Sequence, residues 1–332
     1  MIIVEIKKND AGQRLDKFLL KSYSNLPPSL MFKGIRQKKI KVNRKRAEEK
    51  QILAEGDTLQ IFLPEEFFKK EAAKDAFMNL KADIDILYED EHILLIDKKP
   101  GMVVHSDDKQ ESGTLIDHVK AYLIEKGEYH PEEEQSFAPA LCNRIDRNTG
   151  GIVLAAKDAE SLRILNEQIK LGGLDKRYLC AVRGRPNKKS ALLKGYLIKN
   201  SAANTVKVYD EKPPFGDAKE ILTEYTVLAS ENAKEGQLSL LEVKLHTGRT
   251  HQIRAHMAHI GHPLLGDGKY GGNKETKERY QALYSYMLTF RFKGDAGILS
   301  ELEGKSFKVP LEHIRFLSYF PSFQKSISKE NI

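Results

Sequence analysis

Asn143-Arg144-Ile145-Asp146-Arg147-Asn148-Thr149-Gly150-Gly151, continued without a break by Ile152-Val153-Leu154-Ala155-Ala156-Lys157, is the stretch on which the reading of this 332-residue chain turns. One acid sits between two arginines on a loop closed by two glycines, and the loop runs straight into a short apolar strand, Gly151 to Lys157. Glycines permit backbone shapes and a close ligand approach that other residues resist. A guanidinium about 4 Å away stabilises a carboxylate by about 4 kcal/mol at an effective dielectric of about 20, and opposite charge favours the ionised acid. The pattern suits a carboxylate that must stay charged in a partly dry cleft. The competing reading is a surface ion pair on a turn, which is common and contributes little.

Downstream, Asp158 is the expected cap of a helix that places Leu162, Leu165 and Ile169 on one face and ends at Gly172. Strands are predicted at Lys176–Gly184 and, as a long antiparallel pair, at Ile221–Leu228 and Leu238–Leu245, where Leu241, Val243 and Leu245 alternate. The last strand feeds a second unusual segment, His246-Thr247-Gly248-Arg249-Thr250-His251-Gln252-Ile253-Arg254-Ala255-His256-Met257. Thr250 is the expected cap of a helix reaching Gly261, with Ile253, Met257 and Ile260 as its core face. Arg249 precedes that helix, and His251 and Arg254 project together from another face. An arginine beside a helix N-terminus attracts anions, so the segment is a natural seat for a phosphate or a carboxylate.

The histidines at 246, 251, 256, 259 and 262 raise the question of zinc. No two of them show the spacing, with a placed glutamate, that zinc hydrolases use. No metal is expected. No GxSxG elbow is present either, which excludes that type of serine hydrolase. Cys142 and Cys180 have no metal-type spacing and fit the core of a protein kept in a reducing cytoplasm.

Upstream, Ile84–Leu87 and Ile93–Ile96 read as strands around the turn Glu89-Asp90-Glu91, and residues 128–136 read as an exposed acidic loop. Residues 64–82 are charged, lack strand alternation and read as a linker. The first 63 residues are different in kind. They hold 14 lysines and arginines against seven acids, whereas the rest of the chain carries 40 of each, so the whole net charge of +7 lies in the first fifth. Solubility would not concentrate charge this way, and polyanion binding would. Leu15, Phe18 and Leu19 repeat at helical spacing; Ser29 is the expected cap of a second helix through Lys38; Ile40, Val42 and then Leu59, Ile61 and Leu63 alternate as in strands. Lys33, Arg36, Lys38, Lys39, Lys41, Arg44, Lys45 and Arg46 are the candidate RNA-binding residues. At 40% hydrophobic and 30% charged the composition is globular, with no apolar run near the ~18 residues of a membrane span. The opening MIIVEIKKND puts an acid and two lysines where a signal peptide needs apolar residues, so a cytoplasmic protein is expected.

Two resemblances join at these residues. GQRLDKFL and IRQKKIKVN in the first 63 residues resemble the alpha-L RNA-binding motif of a small-subunit ribosomal protein. From about Ile84 onward the chain resembles the RluA-type pseudouridine synthases. Their signature is His-Arg-Leu-Asp-Arg, then Thr-Ser-Gly, an apolar strand and Ala-Lys; this chain reads NRIDRNTGGIVLAAK. YEDEHILLIDKKPGMVVH at 88–105, KRYLCAVRG at 176–184 and TGRTHQIRAHMAHIGHPLLGD at 247–267 match further motifs in order. Asn143 stands where the family has histidine, Ile145 where it has leucine and Gly150 where it has serine.

The resemblance implies an α+β fold: a catalytic domain with a mixed, mostly antiparallel sheet at 83–322, preceded by the small α/β RNA-binding module at 1–63 and followed by a tail at 323–332. It implies isomerisation of uridine to pseudouridine in RNA, with large-subunit ribosomal RNA as the substrate of members of this length and domain order. The reaction breaks one glycosidic bond, makes another and consumes nothing, so no cofactor is expected, and a monomer is. By motif, Asp146 is the implied catalytic carboxylate, Tyr178 the stacking partner and proton acceptor, and Arg249 the partner of Asp146, a role Arg254 could share. Arg144, Arg147, Ile253 and Arg254 are the implied substrate-binding residues, Ile253 beneath the ring and Arg147 in the space of the flipped base. Two rivals stand beside this reading. One is a non-catalytic RNA-binding or ribosome-assembly factor on the same fold, which would have no use for a cleft carboxylate. The other is a metal-dependent hydrolase built on the histidines.

Overall fold

The short periodic segments of the first 63 residues close around one core. The computed structural model describes residues 1–68, 77–106, 112–200, 202–271 and 276–330, so part of the expected linker lies outside the described residues. The chain opens with β1 (Ile2–Glu5), then α1 (Leu15–Ser22), α2 (Pro28–Arg36), β2 (Ile40–Val42), β3 (Lys45–Arg46) and β4 (Thr58–Ile61). Leu15, Phe18 and Leu19 of α1 are fully buried with Met31, Ile40, Leu53 and Leu59. Ser29 does not cap α2: Pro27 does, and Pro28 takes the first turn, where its fixed φ and missing N–H carry no penalty. Asn43 and Arg44, with φ of 49° and 65°, make the two-residue turn from β2 to β3. The four strands pair in the order β1-β4-β2-β3, so β1 and the basic β3 lie on opposite edges.

The remaining elements are β5 (Asp85–Glu89), β6 (Ile93–Lys98), α3 (Leu115–Glu125), β7 (Ala140–Leu141), β8 (Gly150–Ala156), α4 (Ala159–Leu171), β9 (Leu174–Arg183), β10 (Ser190–Asn200), β11 (Thr205–Tyr209), β12 (Lys219–Ala233), β13 (Gly236–Leu245), α5 (Gln252–His259), β14 (Leu283–Phe290), β15 (Ser306–Lys308) and α6 (Pro321–Glu330). They form one large sheet in the order β11-β10-β12-β13-β9-β14-β8-β6-β5, with β15 on β14 and β7 on β8. The pairing is antiparallel except between β14 and β8. The expected α+β architecture with a mixed, mostly antiparallel sheet is therefore the observed one.

The apolar run of β8 sits mid-sheet and is buried on both faces, which is why it reads as continuous. Its side chains split by twos: Ile152 and Leu154 face a core with Leu165 of α4, whereas Val153 and Ala155 face a second core with Val119 of α3 and Met257 of α5. Asp158 caps α4 by accepting from Ser161 N, and Gly172 ends it in the left-handed conformation, as expected. The antiparallel pair β12/β13 is longer than its sequence pattern suggests.

Residues 128–136 are not simply an exposed acidic loop. Gln135 Nε2 donates to Glu5 O at 2.8 Å, Asn9 Nδ2 to Glu134 Oε1 at 2.8 Å and Ser136 Oγ to Asp10 Oδ1 at 2.6 Å. Arg163 Nη1 of α4 reaches Ala11 O at 3.0 Å. The loop is the seat on which the N-terminal unit docks, and Asp10 is wholly buried in the seam.

Candidate active site

The loop from Asn143 to Thr149 lies at one end of β8 and faces the start of α5 across a cavity of about 330 Å³. Arg144, Asp146, Lys176, Tyr178, Arg249, His251, Ile253 and Arg254 all line it. Asp146 is the one carboxylate among the described lining residues. Arg254 Nη1 donates to Asp146 Oδ2 at 2.8 Å, and the fork is fixed from behind by Asp267, with Nε to Oδ2 at 2.7 Å and Nη2 to Oδ1 at 2.9 Å. Burial opposes the charge of Arg254, but the two carboxylates outweigh it and hold the guanidinium firmly protonated. Burial likewise works against Asp267, yet Arg254 and the N–H groups of Lys269 and Tyr270 keep it below the usual carboxylate range. Asp146 keeps a quarter of its side chain open to the cleft.

Of the two arginines that the sequence offers as partners of Asp146, it is Arg254 and not Arg249 that bonds it in this structure. α5 starts at Gln252, its cap is His251 in the left-handed conformation at φ 53°, and Thr250 caps nothing. The helix phase therefore turns Arg254 inward and leaves Arg249 exposed at the cavity rim. Buried Gln252 rivets this loop, accepting from Thr247 Oγ1 and Arg249 N while donating to Leu222 O and Thr223 Oγ1. His251 Nδ1 pairs with Tyr270 Oη at 2.9 Å, and its Nε2 lies 3.8 Å from Asp146.

Ile253 is buried in the cavity wall. Arg144 is exposed at the rim, while Arg147 points away from the cavity and donates through Nε to Gly101 O at 3.2 Å. Tyr178 is buried and faces Ser285 across the β9/β14 pair; burial pushes its pKa up to about 12, with the charge of Asp146 adding to the rise and Ser285 opposing it. Of the eight candidate RNA-binding cations, all but half-buried Lys41 are exposed, and none is ion-paired among the described residues.

Two lysines were not singled out from sequence. Lys176 lines the cavity two residues before Tyr178 on β9, and burial lowers its pKa. Lys98 is fully buried beneath the loop and donates to the carbonyls of Lys99, Met102 and Arg147 at 2.9–3.0 Å. Three acceptors use all three N–H bonds of an ammonium, so Lys98 ties the segment 98–102 to the loop that carries Asp146. Burial nonetheless brings its pKa down to about 7.

The departures at 143 and 150 have structural counterparts. Asn143 Oδ1 accepts from Leu154 N at 2.7 Å, which pins the start of the loop to β8. Gly150 and Gly151 pair in parallel with Tyr284 and Ser285, and a Cβ on Gly150 would overlap the Tyr284 ring. The Tyr284 hydroxyl is pinned to buried Asp97 at 2.8 Å and cannot retreat freely. Gly150→Ser should therefore cost about 1–3 kcal/mol by overpacking, read as a lower urea midpoint. Adding Tyr284→Leu should restore part of it.

The histidines of 246–262 do not converge on one point: their partners are Glu224, Tyr270, Thr223, Asp210 and Arg183 O. His256 is buried on α5. Thr223 Oγ1 accepts from Gln252 Nε2 at 3.0 Å, leaving its own hydrogen for His256 Nδ1 at 3.0 Å. Burial, with the charge of His259, brings the His256 pKa from 6.5 down to about 4. The unfolded chain binds a proton here near pH 6.5 and the folded chain does not until about pH 4. Stability is thus complete above pH 6.5 and falls as the pH drops toward 4, by at most about 3 kcal/mol. Urea unfolding at pH 7.5 and pH 5 should show a smaller loss in His256→Gln than in the parent.

A carboxylate held by a fixed guanidinium, a buried aromatic beside it and exposed arginines at the rim suit an enzyme that works on a nucleotide within a polyanion. The comparisons agree. The family model described as RNA pseudouridylate synthase matches residues 92–259. The chain is 33% identical over 276 residues to Ribosomal large subunit pseudouridine synthase C of Vibrio vulnificus (strain CMCP6), covering 82% of this chain and 81% of that one. It is 31% identical over 313 residues to an uncharacterized RNA pseudouridine synthase of Mycoplasma capricolum, covering 93% of each. The solved structure of Human RNA Pseudouridylate Synthase Domain Containing 1 superposes with a TM-score of 0.53 over 72% of this chain and 96% of that one, at 20% identity, a likeness of fold alone. The chain belongs to the RNA pseudouridylate synthase family and is an isomerase that converts uridine to pseudouridine in RNA.

Proposed function

We propose that this enzyme modifies uridines of large-subunit ribosomal RNA and that Asp146 is the carboxylate on which the reaction depends. The observation that carries the site assignment is the chain Asp146–Arg254–Asp267, which holds the one carboxylate among the described lining residues in a cleft that also presents Arg144, Lys176 and Arg249. The substrate class follows from the relatives, several of which are named for the large ribosomal subunit. Residues 1–63 are proposed to hold RNA through Lys33, Arg36, Lys38, Lys39, Lys41, Arg44, Lys45 and Arg46, and residues 83–322 to carry the chemistry. The active form is proposed to be a monomer. Two free cysteines support a reducing cytoplasm.

The target uridine leaves its stack at a cost of a few kcal/mol and enters between Tyr178 and Ile253. Asp146 then engages the ribose, uracil detaches at nitrogen 1, turns, and bonds through carbon 5. The carbon-5 proton must leave. Tyr178, neutral at pH 7, takes it only while passing its own hydrogen onward, and Ser285 faces it on the neighbouring strand. Tyr178→Phe should keep RNA affinity, since the stacking face remains, and lower single-turnover product formation by about 10²-fold or more, the scale of lost acid–base catalysis. Tyr178→Ala should also weaken binding, by about 1–3 kcal/mol.

The test of substrate is pseudouridine mapping of ribosomal RNA from cells with and without the protein, alongside transcripts treated with purified enzyme. The same few large-subunit uridines should lose modification in one and gain it in the other. Unchanged large-subunit RNA would overturn the assignment.

A further inference from the structure

The docking seam of the N-terminal unit lies at a defined place relative to the catalytic loop. Its two footholds on the catalytic unit are the loop around Ser136 and the start of α4 around Arg163. They meet at one end of β8, because β7 pairs Ala140 with Ala156. The catalytic loop leaves β8 at the other end, at Gly150. Seven residues of strand at about 3.3 Å each separate the seam from the loop by about 20 Å. Within the N-terminal unit the seam uses Glu5, at the end of edge strand β1, and the turn that follows it. The basic β3 forms the opposite edge, three strand spacings or about 14 Å away. Docking therefore leaves the basic edge free and holds it at a set offset from Asp146.

A unit tied only by its linker would raise the local concentration of RNA without fixing register. This one is also held by hydrogen bonds to a buried carboxylate and to backbone carbonyls. We infer that the docked unit is a measuring device: an RNA helix gripped at the basic edge presents to the cleft only a uridine at a fixed distance from it. The inference rests on the proposed RNA-binding role of residues 1–63 and adds site selection to it.

The test uses the full chain and transcribed fragments of large-subunit ribosomal RNA that contain a modified uridine, either unaltered or with five base pairs inserted between that uridine and the adjoining helix. The parent enzyme should modify the lengthened RNA at least tenfold more slowly than the unaltered one. A seam variant, Gln135→Ala with Ser136→Ala and Arg163→Ala, should treat the two RNAs alike within threefold. Equal rates in the parent, or tenfold discrimination surviving in the seam variant, would overturn the measuring role. A third protein, Arg44→Ala with Lys45→Ala and Arg46→Ala, separates the two ideas. If its RNA affinity and salt dependence match the parent's, the RNA-binding reading itself is wrong. If its binding weakens while the parent ignores the insertion, only the measuring role is lost.

Discussion

Asp146→Asn should abolish pseudouridine formation while leaving RNA affinity within about threefold, because the amide keeps the shape and loses the charge. The scale expected is a fall of about 10⁴-fold or more, that of removing the central group of a catalytic set. Folding should survive. Asp146 is only partly buried, and Arg254 retains its two bonds to Asp267 when one partner is neutralised. Asp146→Glu keeps the charge but displaces it by about one methylene, and near-attack geometry tolerates such a shift poorly, so a loss of about 10²-fold is expected. No other acid lines the described cleft to stand in. The measurement is single-turnover conversion of transcribed ribosomal RNA, with affinity from filter binding. Normal conversion by Asp146→Asn would remove Asp146 from the mechanism and leave the cleft without a carboxylate to engage the ribose.

The catalytic loop was legible because its signal is local. A lone acid between arginines, two glycines and a doubly buried strand are contiguous, and each has a physical meaning at its own position. The caps of α4 are local in the same way. What escaped the sequence was set by conformation or by distance along the chain. The left-handed φ of His251 makes it the cap and starts α5 one residue later than Thr250 would, and from that helix it is Arg254 that reaches the carboxylate. The acidic composition of residues 128–136 suggested solvent, and nothing near them indicated that Asn9 and Asp10 would dock there. Lys98 is one lysine among many in the sequence. Only burial and three converging carbonyls mark it out.

Arg254 is where stability and chemistry meet, and its replacement should damage both in ways that can be separated. Arg254→Met removes the clamp on Asp146 and strands Asp267, whose side chain is completely buried. Breaking a buried pair by deleting one partner costs about 3–5 kcal/mol, because the remaining charge has no counterpart. Adding Asp267→Asn removes that charge while its amide oxygen still accepts from Lys269 N and Tyr270 N, so the double variant should recover much of the lost stability. It should not recover activity, which should stay about 10²–10³-fold down, the scale of losing a fixed electrostatic partner. Arg254→Lys should fall between, since one ammonium cannot span Asp267 and Asp146 as the planar fork does. Arg249→Ala is the contrast. Exposed at the rim, it should raise KM severalfold and leave kcat close to the parent's. Urea midpoints and single-turnover rates on the same four proteins decide the matter: if Arg249→Ala removes the chemistry while the Arg254 variants retain it, the partner of Asp146 during catalysis is Arg249 after all, and the clamp is structural only.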